Sequence, residues 1–295
     1  MTTTIAEEVA RFVAMKQKLG YRYKRNGEPL LSFARFAEDR GETFIRSTTV
    51  LEWASSSTAS ANERVRKLHA LHAFAGWLHA EDARHEVPPR DGLGRQAYRR
   101  PSPHLVPIPD IRKLLTAALS MTPAGTIAPL TWHYLFGLLA VTGLRLSEAL
   151  ALMLDDITAD GLVIRDTKFG KTRMVALHPT SWDALNRYLT LRRKEKTHDS
   201  HVFVIATGRP PSKVRAIQVF RHLAEQTGIR EPGARGPTSH SLRHSFAVRS
   251  LENLGPGAEP GRHMLALATY LGHTAVSDTY CNQELLITVV IPTTW

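Results

Sequence analysis

Two arginines, two histidines and a tyrosine stand at predicted element ends of this 295-residue chain. Arg145 lies in Thr142-Gly143-Leu144-Arg145-Leu146-Ser147-Glu148, His240 and Arg243 in His240-Ser241-Leu242-Arg243, His273 in Leu271-Gly272-His273, and Tyr280 follows. These residue types suit attack on a phosphodiester. A guanidinium is always charged and offers a planar fork of donors that matches two non-bridging phosphate oxygens. Two of them can therefore hold the charge that builds up in a five-coordinate transition state. Tyrosine can serve as a covalent nucleophile, and histidine can move or orient protons.

The elements that must position these groups can be traced along the second half of the chain. Ile111, Leu114, Leu115 and Ala118 form one amphipathic helical face, and residues 131–141 are apolar nearly all round, which predicts a buried helix. Gly143 can take the positive φ of its stop, and a new helix follows with Ser147 as a cap. Arg145 thus falls at a junction between two buried helices; the plain alternative is a surface arginine paired with Glu148. Residues 161–165 and 173–177 are β-prone and flank Asp166-Thr167-Lys168-Phe169-Gly170-Lys171-Thr172, the pattern of a β-hairpin. A lysine at such a tip is usually just solvated, but the ammonium of Lys168 could also reach a phosphate and protonate a leaving alkoxide.

Further on, Trp182, Leu185, Tyr188 and Leu189 mark a helix, Val202 to Ile205 a short strand, and Val214 to Gln226 another helix. Pro237-Thr238-Ser239 then introduces a helix on which His240 and Arg243 share a face near the N-terminus, an end that favours anions. His240 and His244 have a spacing that could grip a metal, but Arg243 between them and the lack of nearby acidic ligands argue against zinc. No metal or other cofactor is expected. Leu265, Leu267, Ala268 and Leu271 predict a helix ended by Gly272, with His273 at the turn and Ser277 or Asp278 starting the helix of Tyr280.

The first hundred residues read as four helices. Thr4 caps one with Ile5, Val9, Phe12, Val13 and Leu19 on a face, stopped by Gly20. A second holds Leu30, Phe33 and Phe36 and ends at Gly41; a short third follows Thr48 or Thr49; the longest runs from Ser60 to about His79. Tyr21-Arg22-Tyr23-Lys24-Arg25 interleaves aromatics with charge, either as a solvated loop or as a phosphate contact. Residues 82 to about 106, with Pro88-Pro89-Arg90, Gly94-Arg95 and Arg99-Arg100-Pro101, read as a boundary. The expected division is a helical domain over 1–87, a basic linker over 88–106 and a second domain over 107–295 that holds the candidate reacting groups.

Charge agrees with an anionic partner. The formal net charge is +11, shared as +5 over residues 1–103 and +6 over the remainder, so the excess is not a tail. A polyanion, most simply nucleic acid, is the expected partner. Cys281 is the single cysteine, which excludes an internal disulfide and fits a reducing cytoplasm. No apolar run approaches the roughly 20 residues that span a bilayer, and the first residues do not read as a signal peptide.

Taken in order, Thr142-Gly143-Leu144-Arg145 with Ser147-Glu148, the hairpin lysine, His240-Ser241-Leu242-Arg243-His244-Ser245-Phe246-Ala247, Tyr270-Leu271-Gly272-His273 and a following tyrosine resemble the tyrosine recombinases, the phage-integrase type. The likeness is nearest to integrases of transposons and other mobile elements. It implies a mainly α (α+β) fold: an N-terminal four-helix core-binding, SAM-like domain and a C-terminal mixed helical catalytic domain with a small antiparallel sheet. It also implies roles. Arg145 and Arg243 would clamp the scissile phosphate, Lys168 would protonate the leaving 5′ oxygen, His240 would relay the nucleophile's proton, and His273 would support the phosphate. Tyr280 would form a 3′-phosphotyrosyl link. The implied partners are double-stranded recombination sites and other recombinase protomers, as a tetramer in the synapse or a mixed assembly, in the cytoplasm with the nucleoid and not at a membrane.

One departure bears on chemistry. The family's nucleophile usually lies nine residues beyond this histidine, at Asn282 here, whereas Tyr280 lies seven beyond. Two residues turn a helical side chain by about 200°. An active recombinase using Tyr280, a non-cleaving relative that binds recombination sites, and a helical regulator all remain open at this point.

Overall fold

The computed structural model describes residues 4–21, 23–56, 59–94, 103–165, 172–253 and 259–272. The chain divides into two units, Met1–Pro101 and Ser102–Trp295.

The first unit is built from α1 (Ile5–Lys18), α2 (Lys24–Glu38), α3 (Ser47–Ser56) and α4 (Ala61–His79). Thr4 caps α1 in a reciprocal capping box with Glu7, and the Ser60 hydroxyl caps α4 at Glu63. Ile5, Val9 and Phe12 of α1 are buried with Leu30 and Phe33 of α2, Val50 and Trp53 of α3, and Leu68, Leu71 and Phe74 of α4. Phe12 is central, with its ring centroid 5.3 Å from both Phe74 and Trp77. The Tyr23 ring meets Phe12 edge-on at 5.6 Å, and Tyr23 is the one described non-glycine residue with positive φ. The basic run predicted as a loop or phosphate contact is therefore partly something else: from Lys24 onward its backbone is the first turn of α2. Residues following α4 also pack here. His79 and His72 bond the carbonyls of His85 and Pro88 through Nδ1, at 2.6 and 2.8 Å, and Leu93 lies against the helical core. Residues 88–93, assigned to the linker on composition, thus lie on this unit.

The second unit contains α5 (Ile108–Leu119), α6 (Ile127–Thr142), α7 (Leu146–Leu150), a 3-10 turn (Leu154–Asp156), β1 (Ile157–Thr158), β2 (Gly161–Ile164), β3 (Arg173–Val175), α8 (Pro179–Arg192), α9 (Lys213–Gln226), α10 (Ser239–Glu252) and α11 (Pro260–Leu271). As the apolar run predicts, α6 is a central helix, with Trp132, Leu135, Phe136, Leu138 and Leu139 all buried. The described strands form an antiparallel sheet in the order β1-β2-β3, with Ile164 opposite Arg173, so the predicted hairpin is present. Its tip, including Lys168, lies outside the described residues. No described helix is long and apolar enough to cross a membrane.

Two local expectations are corrected. Arg145, not Ser147, is the N-cap of α7, because Glu148 at the third helical position turns back to accept the Arg145 backbone N–H. Val202 to Ile205 is not a strand. Val202, Phe203 and Val204 are buried on the core, but what holds the segment is a bridge between Met153 and His201, a bond from Val202 N–H to the Leu152 carbonyl and one from the Thr131 hydroxyl to the Val204 carbonyl, not a run of strand pairing. β-branched composition reported burial here, not a ladder.

Gly143 ends α6 with φ +62°. A Cβ there would lie 2.6 Å from Phe246 and 2.9 Å from Leu271, so α10 and α11 approach α6 where a side chain would stand. At Gly125, φ +77°, nothing lies within 4 Å. Gly125→Ala is therefore expected to cost about 1 kcal/mol of backbone strain. Gly143→Ala adds overpacking and should cost roughly 2–4 kcal/mol. Urea denaturation of the two variants measures the difference; equal losses would refute the close approach.

Candidate active site

The C-terminal end of α11 gathers three arginines from three other elements. An α-helix leaves its last carbonyls without intrahelical partners. Here Tyr270 O accepts Nε of Arg173 at 2.9 Å, Leu271 O accepts Nη2 of Arg243 at 2.7 Å, and Gly272 O accepts Nη2 of Arg145 at 3.1 Å. Arg173 comes from the start of β3, Arg243 from α10, and Arg145 from the junction of α6 and α7. Gly272 adopts φ +67° and closes the helix, as Gly143 closes α6. The helix macrodipole places partial negative charge at this end, which favours the cations gathered there.

Glu148 joins two of these arginines. Its Oε1 accepts Nη1 of Arg145 at 2.7 Å and Nη1 of Arg173 at 3.1 Å. Oε2 accepts the Arg145 backbone N–H at 2.9 Å and Nη2 of Arg173 at 2.8 Å. The Glu148 side chain is only 7% exposed. Burial alone would raise its pKa; the Arg173 fork and the Arg145 backbone and guanidinium donors outweigh it and hold the carboxyl at about 2. Both readings of Arg145 are thus partly right. It pairs with Glu148, yet it is also built into a cationic junction.

Arg243 is 3% exposed, and its Nη1 also donates to the Gly143 carbonyl at 2.7 Å. Burial first, then the neighbouring Arg145, pushes its guanidinium down to about 9, so it remains charged at neutral pH. Three guanidiniums against one carboxylate leave the cluster net positive, which suits an incoming phosphate. His240 is exposed in the first turn of α10, one turn before Arg243, and its ring meets His244 edge-on at 4.6 Å. Within α10, the Ser245 hydroxyl accepts Val106 N–H at 2.7 Å and donates to Ser241 O at 2.9 Å, fixing the entering chain to this helix. Tyr270 stacks on Phe246, and burial pushes its phenol up to about 12.

Of the residues singled out from sequence, the fold brings Arg145 and Arg243 to adjacent carbonyls and holds His240 on the helix of Arg243. Lys168, His273, Tyr280 and Asn282 lie outside the described residues. Arg173 went unnoticed within a β-prone run. The sequence carried no signal for it: side chains alternate across a strand, but Met174 and Val175 are both apolar, and only the structure shows that the face Arg173 shares with Val175 is the buried one.

The sequence matches the phage integrase family over residues 110–281. It is 34% identical over 288 residues to y4rB of Sinorhizobium fredii, named as a candidate integrase/recombinase, covering 94% of this chain and 91% of that protein. It is 32% identical over 228 residues to the tyrosine recombinase XerD of Mycobacterium tuberculosis, covering 76% and 68%. Among solved structures, the Tn1549 transposon integrase in complex with transposon right end DNA superimposes with a TM-score of 0.71 at 18% identity, over 99% of this chain and 96% of that one. A lambda integrase tetramer bound to a Holliday junction gives 0.70 at 16% identity, over 94% and 77%. At these identities the structural likenesses are likenesses of fold.

The depressed pKa of Glu148 links the junction to pH. A carboxyl with a folded pKa of about 2 against an ordinary 4.5 contributes stability that is complete above pH 4.5 and is lost as pH falls towards 2. The contribution is roughly 3 kcal/mol. Glu148→Gln should be destabilised by that order at pH 7, and its deficit against the parent chain should shrink between pH 4.5 and 2. Chemical denaturation across this range would expose a deficit that does not change with pH, which would refute the ionised pairing.

Proposed function

Because the chain belongs to the phage integrase family, the tyrosine recombinases, we propose that it is a site-specific DNA recombinase, a DNA strand transferase of mobile-element type. The observation that carries this reading is the convergence of Arg145 and Arg243, distant in sequence, on adjacent carbonyls at the end of α11. Remaining N–H donors of two such fixed forks can hold the non-bridging oxygens of one phosphodiester. Preorganised charge of this kind needs no rearrangement at the moment of reaction.

In the proposed reaction Tyr280 attacks the scissile phosphorus, the bond from phosphorus to the 5′ oxygen breaks, and a 3′-phosphotyrosyl ester forms. His240 takes or relays the phenolic proton, Lys168 protonates the leaving 5′ oxygen, and His273 supports the phosphate by a hydrogen bond. The 5′ hydroxyl of a partner strand then reverses the step. The ester energy is conserved in the covalent link, so the chemistry calls for no metal or nucleotide. Double-stranded recombination sites are the substrate, with protomers assembling on DNA as a synaptic tetramer or with other recombinases. Basic excess in both halves supports contact with the duplex along the whole chain. The N-terminal helical unit acts as the core-binding domain, the arginine-rich connector follows the duplex, and the C-terminal unit cleaves. Action on genomic DNA puts the protein in the cytoplasm with the nucleoid.

A second reading rests on spacing: Asn282 stands where the family usually has its nucleophile. A chain of that kind keeps the phosphate clamp and binds sites without cutting them. A nicked suicide duplex carrying the binding site, selected from a random-sequence pool, separates the two. An active enzyme is expected to form a covalent adduct that Tyr280→Phe abolishes and that Arg145→Ala or Arg243→Ala slows by about 100-fold or more. Adduct formation by Asn282→Tyr but not by the parent chain establishes the non-cleaving reading. Binding and adduct formation indifferent to both arginine variants would refute the clamp.

A further inference from the structure

We propose that Arg173 is a positioning residue for the phosphate clamp: by bridging Glu148 to the Tyr270 carbonyl, it sets how Arg145 and Arg243 present themselves to an anion. This inference rests on the clamp reading of those two arginines.

Three observations carry it. The first is the pairing of Glu148, whose two oxygens each take one donor from Arg145 and one from Arg173. With Arg173 absent, Arg145 would be the ion-pair partner left to the buried carboxylate among the described residues. A buried charge left short of partners is strongly unfavourable. Arg145 would be drawn further onto Glu148, and the charge it offers a phosphate would be largely cancelled. Arg173 therefore lets one carboxylate orient Arg145 without neutralising it.

The second observation is where Arg173 reaches. Its Nε holds Tyr270 O, adjacent to the carbonyls held by Arg243 and Arg145. One guanidinium thus ties the strand following the hairpin to the same helix end that both clamp arginines grip. Displacement of that end would move both of their anchors together. The third is proximity. A Cβ at Gly272 would stand 3.0 Å from Nη1 of Arg173, so this guanidinium lies directly against the helix stop. The side chain is 12% exposed and all its described hydrogen bonds are to Glu148 and Tyr270, which marks it as acting through others. Lysine cannot reproduce the arrangement, because one ammonium lacks the planar fork that meets both carboxylate oxygens while also reaching a carbonyl.

The test uses the full chain and inorganic phosphate as probe at pH 7, followed through the side-chain Nε–H resonances of Arg145 and Arg243. Arg173→Ala and Arg173→Lys are compared with the parent, with thermal unfolding alongside. The expected result is saturable phosphate shifts at both arginines in the parent, and affinity weaker by about tenfold or more in Arg173→Ala. Arg173→Lys, which keeps the charge and serves if the alanine variant does not fold, should weaken affinity at least about threefold while its melting temperature stays near the parent's. It should also shift the Arg145 Nε–H resonance before any phosphate is added. Parent-like affinity in both variants, or in Arg173→Lys alone when the alanine variant is unfolded, overturns the inference and leaves the clamp intact. Absence of phosphate shifts in the folded parent overturns the clamp and this inference with it.

Discussion

An ionised carboxylate taken out of water demands compensation, and much of the second unit's architecture can be understood as supplying it to Glu148. The compensation comes from a β-strand and from the N-cap of the carboxylate's own helix, through Arg173 and Arg145. Those same guanidiniums spend their other donors on the end of α11, where Arg243 from α10 joins them. One buried negative charge therefore fixes the relation of a hairpin, a helix junction and a helix end. It does so without cancelling the local positive field, because the cations outnumber it.

Such a network tolerates little displacement, and the surrounding packing shows how displacement is limited. Gly143 lacks a side chain where α10 and α11 meet α6, and its carbonyl is thereby accessible to Arg243. Phe246 and Tyr270 stack across the interface of α10 and α11 at 5.7 Å. Below them the long apolar face of α6 joins the core, with Phe136 edge-on to Phe220 of α9. Rigid apolar packing thus determines where the polar junction sits, and the junction's hydrogen bonds determine where each guanidinium points. Donors oriented in advance in this way need no reorganisation when an anion arrives.

The N-terminal unit is organised by different means. Its core is knit by Phe12, Phe74, Trp77 and Trp53, and its charged residues lie around that core. Histidines of α4 fasten the following segment to the helices through backbone carbonyls, so ordered structure continues past the last helix. Cationic groups also cover aromatic faces: the Arg11 guanidinium lies 4.6 Å from the Trp77 ring centroid and that of Arg40 3.7 Å from Phe36. Positive charge in this unit therefore serves packing as well as any external partner.

Much of this was legible in the chain itself. Periodicity located the helices of both units, caps such as Thr4 and Ser60 marked starts, and Gly143 and Gly272 marked stops, because these signals act between residues close in sequence. The motifs around Arg145 and around His240 and Arg243 pointed to a candidate chemistry, since a phosphate clamp can be made from few residue types. What the chain could not disclose was the common meeting point. That Arg145, Arg173 and Arg243 cap consecutive carbonyls of one helix depends on contacts spanning 28 to 127 residues. The buried state of Glu148, and hence its low pKa, depends on the same contacts. Val202 to Ile205 failed as a strand for a related reason: β-branched residues report a demand for burial, and only the tertiary fold decides whether a neighbouring strand meets it. Local sequence thus determined the elements and offered the candidate groups. Long-range packing decided which charges meet, because electrostatic partnership depends on distance in space and on exclusion of water, neither of which is written in the order of residues.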